Sequence, residues 1–130
     1  MSRLVWNHGE GEFRFHYTMR FAAETIVRTE QYAVLVDRTP SGLYVTDIQP
    51  GSLEDCEILS ALFDGARDVE RVQAAVVLAD DPALPLKKVG RNAWVHEAPK
   101  GSAVPLVGIA VGYAWQEDSL WLYSRSLWDF

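Results

Sequence analysis

Hydrophobic and polar residues alternate along the chain from Glu12 to Phe21. Phe13, Phe15, Tyr17, Met19 and Phe21 fall on one side of this segment, and Glu12, Arg14, His16, Thr18 and Arg20 fall on the other. A period of two residues is typical of a β-strand with one face packed on a core. The pattern therefore predicts a strand whose polar face is either wet or the wall of a polar cleft.

The next segments also favour strands. Ala22–Thr29 is ambiguous, because it begins with helix-favouring residues and ends with β-branched ones, and we interpret it as a strand. Tyr32–Asp37 and Leu43–Gln49 are rich in strand-forming residues and flank a segment with a proline and a glycine. That arrangement is typical of a turn, and it predicts a β-hairpin.

One main helix is expected at about residues 52–64. Ser52 is a suitable N-cap with an acidic residue three places later, and Asp64-Gly65 is a C-terminal signal. Cys56, Leu59, Leu62 and Phe63 would form its buried stripe.

The pattern of the remaining chain predicts mainly strands. Ala74–Ala79 is a continuous apolar run, which predicts a central strand covered on both faces. Further strands are expected at Ala93–Glu97, at about Leu106–Trp115 and at about Leu120–Trp128. The predicted fold class is α+β, with a mainly antiparallel, curved or half-barrel sheet of about six to eight strands packed on the one helix.

Composition narrows the class of protein. The 130 residues are 48% hydrophobic and match one domain, 1–130, with enough apolar material for its own core. The interrupted apolar stretch around Val104–Ala114 is shorter than the ~20 residues of a membrane span. No secretory signal is evident at the N-terminus, so we expect a soluble, cytoplasmic protein.

The charge of the chain argues against a nucleic-acid ligand. Eighteen acidic and twelve basic residues give a net charge of −6, and the basic residues do not cluster. Binding phosphates requires concentrated positive charge. The sequence therefore predicts no nucleic-acid partner and favours a protein partner with a basic surface.

The polar side of the first strand is one candidate site. Glu12, Arg14, His16 and Arg20 would share one face, where they could converge on an anionic ligand or an acid–base step. The same row is also expected of a solvated strand face with cross-strand ion pairs, and we favour that interpretation.

The aromatic C-terminal strand is the other candidate. Trp121, Tyr123, Arg125 and Trp128 have the composition of an interface centre, but a sheet core uses the same aromatic residues. An interface here would suit a partner protein or a homodimer formed through the last strand.

The remaining reactive residues give weak signals. Cys56 is the only cysteine, so it forms no internal disulfide, and the predicted apolar stripe favours a buried side chain over a nucleophile. His96 follows Trp94-Val95, and we expect its ring to pack half-buried with a nitrogen bonded to a backbone group. The spacing of the three histidines indicates no metal site, and no motif indicates a cofactor or an enzyme.

Two hypotheses of function follow. The first is a small acidic protein-binding module, such as an inhibitor, immunity-type or anti-defence protein that occludes its partner. The second is a small-molecule-binding or hydrolytic α+β domain that uses the polar strand face around His16.

Overall fold

A computed structural model describes residues 2–3, 13–51, 54–62, 69–118 and 120–124. The strands are β1 Ser2–Arg3, β2 Phe13–Thr18, β3 Gln31–Ala33, β4 Gly42–Thr46, β5 Ala74–Ala79, β6 Lys87–Gly90, β7 Ala93–Glu97, β8 Ala103–Pro105, β9 Ala110–Glu117 and β10 Leu120–Ser124. The helices are α1 Arg20–Thr29 and α2 Asp55–Leu62, with a 3₁₀ turn at Val69–Val72.

Eight of these strands form one antiparallel sheet in the order β1-β10-β9-β5-β2-β4-β7-β6. The sheet is curved and does not close, and β3 and β8 pair separately as a two-stranded sheet. The predicted α+β class and the predicted number of strands are confirmed.

Strand β5 lies between β9 and β2, and it separates two clusters of buried side chains. The residues Ala74–Leu78 are at most 1% exposed, which confirms the predicted central strand covered on both faces. Val76 packs with α1 on one face, whereas Val77 packs with α2 and the 3₁₀ turn on the other. The alternation of a strand thus places one helix on each face of the sheet.

The prediction of a strand at Ala22–Thr29 is wrong, because this segment forms α1. Ala23, Ile26 and Val27 are its buried residues, and their i, i+3, i+4 spacing is that of a helix face. Arg20 also pairs with Glu24 one turn later, at 3.2 Å between Nε and Oε1. This packing outweighs the β-propensity of the branched residues, and β2 consequently ends at Thr18 rather than at Phe21.

The prediction of one main helix is corrected in two ways. The described parts of the chain contain two α-helices, and α1, with ten residues, is longer than α2, with eight. Helix α2 begins at Asp55, where the Glu57 carboxylate accepts a 3.1 Å hydrogen bond from the Glu54 backbone N–H, the carboxylate half of a capping box. Residues 52–53 and 63–68 and the Cys56 side chain lie outside the described parts.

The predicted hairpin is also wrong, because β3 and β4 belong to different sheets. Strand β3 pairs with β8, and Val34 continues this contact by donating from its backbone N–H to Ser102 O at 2.9 Å. Strand β4 pairs with β7 and β2. The connection between β3 and β4 is therefore a long loop rather than a tight turn, and it borders the site described next.

Candidate functional site

The main sheet opens between β2 and β4. Strand β2 pairs with β5 along its whole length, but with β4 only where Phe15 faces Thr46. A longer ladder would place Tyr17 opposite Tyr44. Instead, the His16 imidazole donates from Nδ1 to Tyr44 O at 2.8 Å, so a side chain takes the place of a backbone donor.

A cavity of about 940 Å³ occupies this opening. Its walls come mainly from β2, α1, β3, the loop before β4 and β4 itself, with single residues from α2, the 3₁₀ turn and β7. The polar side chains in its lining include His16, Tyr32, Asp37, Arg38, Tyr44 and Arg71. The volume is at the upper end of the range for cavities that hold drug-sized molecules.

The cavity has an exposed apolar rim, formed by Met19, Phe21, Leu35 and Val36. These side chains are 48%, 75%, 71% and 59% exposed. They are half of the eight large hydrophobic residues found exposed among the described residues. Exposed apolar side chains gathered around one opening are typical of a binding site, whereas scattered ones are ordinary surface.

His16 is held as a neutral base at the cavity wall. Its ring packs edge-on against Tyr32, with 4.9 Å between the ring centroids. Burial lowers the pKa of His16, and the hydrogen bond to Tyr44 O only partly opposes this effect. Because a carbonyl oxygen can only accept, Nδ1 carries the proton, and Nε2 is left as an acceptor with no partner among the described residues.

Arg38 provides a cation beside the same two tyrosines. Its guanidinium lies 3.7 Å from the centroid of the Tyr44 ring, and the Tyr44 hydroxyl donates to Pro40 O, which orients that ring. Burial raises the pKa of Tyr32, and the charge of Arg38 partly counteracts the rise. The neighbouring Asp37 carboxylate binds Lys100 Nζ at 2.6 Å. No carboxylate in the described parts of the chain forms an ion pair with Arg38.

The predicted polar row does not converge on the cavity. His16 lines it, but Arg14 stacks on Trp94, at 4.7 Å from the ring centroid, beside a separate hollow of about 360 Å³. Arg20 lies on α1, where it pairs with Glu24 and Glu117 and stacks on Trp115. Glu12 is outside the described residues.

The described C-terminal aromatics pack within the fold. Trp121 contacts the Tyr17 ring edge-on at 6.1 Å, and both Trp121 and Tyr123 lie half-buried against the cluster that contains Phe15. Strand β10 has β9 on one side and β1 on the other. Arg125 and Trp128 fall outside the described residues.

Sequence reasoning missed most of the residues that form the cavity. The sequence pattern predicts a hairpin that includes Tyr32, Leu35, Val36 and Arg38, and nothing in that pattern indicates a site. The one available signal was the adjacent apolar pair Leu35-Val36 beside a turn, an arrangement that buries neither residue in the structure. His96 behaves as expected, because its Nδ1 donates to Pro85 O at 2.9 Å.

The described residues were also compared with the requirements of a membrane span and of a metal site, and they meet neither. No helix there is long and apolar enough to cross a membrane. No group of three or more His, Cys, Asp or Glu side chains is placed there to hold a metal ion.

Comparison with known proteins gives no relative. No protein-family model matches the sequence, and no curated protein or solved structure matches it significantly. The cavity is therefore the main guide to function.

Proposed function

We propose that this chain binds a small, largely apolar molecule in the cavity between β2, β4 and α1. The observation that carries the proposal is the cavity of about 940 Å³ whose mouth is surrounded by exposed Met19, Phe21, Leu35 and Val36. Leaving large apolar side chains in water forgoes stability, and a ligand that covers them would recover it as binding energy. This is the second of the two functions expected from the sequence, with a different set of polar residues around His16.

The polar groups of the lining suit recognition better than catalysis. His16 has a free acceptor nitrogen, as a general base requires, but none of the described hydroxyl groups is hydrogen-bonded to it. The tyrosines and Arg38 instead supply a few fixed polar groups on an apolar surface, which is how ligand orientation is usually set. A hydrolytic role for His16 stays a prediction.

The test is saturable binding of an environment-sensitive apolar dye, Nile red, followed by fluorescence. Ala22 lines the cavity from α1, so Ala22→Trp should fill part of it and weaken dye binding at least about tenfold. Val107 is exposed outside the cavity, and Val107→Trp is the matched control that adds the same ring elsewhere. Absence of saturable binding, or equal binding by both variants, would overturn the proposal.

The protein-binding module stays a prediction. The net charge of −6 still favours a partner with a basic surface. However, Trp121 and Tyr123 pack against Tyr17 and its neighbours, which weakens the case for an aromatic surface on β10. The expected homodimer through the last strand also stays a prediction. Leu122 and Tyr123 already face Arg3 and Ser2 of β1, so such a dimer would have to use the side chains of β10 there.

A further inference from the structure

We infer that the ligand is an apolar molecule with one carboxylate, and that Arg38 binds this carboxylate at the mouth of the cavity. The inference rests on the proposed binding function and adds the chemical class of the ligand. It comes from the charges and hydrogen-bonding groups of the lining.

The cavity carries the opposite charge to the rest of the protein. The whole chain has a net charge of −6, whereas the lining contains two arginines, Arg38 and Arg71, and one acid, Asp37. Asp37 is bound to Lys100, so its charge is already compensated. Arg71 has contacts of its own, so the positive charge that an anion meets in the cavity is mainly that of Arg38.

Arg38 is presented in a geometry suited to a carboxylate. Its planar guanidinium lies on the Tyr44 ring at 3.7 Å, and the hydrogen bond from the Tyr44 hydroxyl to Pro40 O orients that ring. This cation–π contact leaves the N–H groups of Arg38 without a carboxylate partner among the described residues. Two parallel N–H donors match the two oxygens of a carboxylate.

His16 directs the anion toward Arg38. With Nδ1 bonded to Tyr44 O, the neutral imidazole offers only the lone pair of Nε2. A lone pair can accept from a hydroxyl group but repels a carboxylate oxygen. The apolar body of the ligand would then lie along the side chains of the rim, with its charged end at Arg38.

The experiment compares decanoate with decan-1-ol, which share a chain but differ in charge. Both are used below micelle formation at pH 8 to displace Nile red. We expect the wild type to bind decanoate up to about fivefold more tightly than the alcohol, because an ion pair at an exposed arginine contributes up to about 1 kcal/mol. Arg38→Gln should abolish this preference, which is a ratio of two affinities measured on the same protein and therefore does not depend on the affinity for Nile red. The preference should also shrink in high salt, because Arg38 is exposed.

Arg91→Gln is the matched control, because Arg91 is exposed in the turn between β6 and β7 and is not one of the residues that line the cavity. It removes the same charge and should keep the preference. Equal binding of acid and alcohol by the wild type, or the same change in Arg38→Gln and Arg91→Gln, overturns the carboxylate inference while dye binding still supports the proposed function. A wild type that binds neither dye nor decanoate overturns both.

Discussion

Leu35 and Val34 are neighbours in the chain with opposite environments, and they allow binding to be separated from stability. Val34 is 1% exposed and belongs to the core cluster that contains α1, whereas Leu35 is 71% exposed at the rim of the cavity. We expect Leu35→Ala to weaken ligand binding with little effect on folding. Val34→Ala should do the reverse.

The size of each effect follows from burial. Leu→Ala removes three carbons, each worth about 0.8 kcal/mol when buried, or about 2.4 kcal/mol together. The 29% of Leu35 that the protein covers, since 71% is exposed, accounts for about 0.7 kcal/mol of folding free energy. If the ligand covers the exposed remainder of Leu35, Leu35→Ala should reduce the binding free energy by up to about 1.7 kcal/mol. This loss corresponds to a rise in Kd of roughly fifteen- to twentyfold. Val34→Ala should cost the fold about 2 kcal/mol or more, because it also leaves a void in the core.

Urea unfolding measures the free energy of unfolding, and Nile red titration measures the Kd, for the wild type, Leu35→Ala and Val34→Ala. If Leu35→Ala lowers the free energy of unfolding by as much as Val34→Ala does, Leu35 is part of the core. An unchanged Kd in Leu35→Ala would mean that the ligand does not cover the rim, and the argument from exposed apolar residues would be refuted.

Two further expectations concern the walls of the cavity. A Cβ at Gly42 would lie 2.0 Å from His96 O, so Gly42→Ala should lower the free energy of unfolding by about 2 kcal/mol or more. The control is Gly101→Ala, because Gly101 also has a positive φ but has nothing within 4 Å, and this change should lower the free energy of unfolding by only about 1 kcal/mol. Equal losses in urea unfolding would contradict this steric explanation. Burial lowers the pKa of His16, so below about pH 6.5 the unfolded chain binds more protons at this site than the folded one does. The free energy of unfolding should therefore fall as the pH drops through this range, and His16→Gln should reduce that loss. If the Tm of the wild type and of His16→Gln declines equally from pH 8 to pH 5, His16 is not responsible.

Strands whose burial is uniform or alternating could be predicted from the sequence. Ala74–Ala79 and Ala93–Glu97 were placed correctly, because continuous or alternating apolar runs directly reflect burial. The strand predicted at about Leu106–Trp115 begins too early, because residues 106–109 form the turn between β8 and β9, in which Gly108 has φ 73°. A local pattern of apolar residues does not reveal where a buried chain turns.

The residues of the candidate site were harder to predict from the sequence than the strands. His16 was singled out because it lies on the polar side of β2, and it does line the cavity. Arg20 was grouped with it by extending the alternation past the point where the helix begins. Tyr32 reaches His16 from β3, and Arg38 reaches Tyr44 from the loop after β3. No local pattern describes the path that brings these residues together.

The sequence by itself determined the class of the fold, the central strand β5 and the acidic charge of the chain, because each follows from residue type and local periodicity. Only the tertiary structure decided that Ala22–Thr29 is a helix, that β3 and β4 separate, and that the sheet opens beside His16. These outcomes depend on packing and hydrogen bonds between residues far apart in the chain. The cavity exists only where such contacts bring β2, α1 and the loop before β4 together.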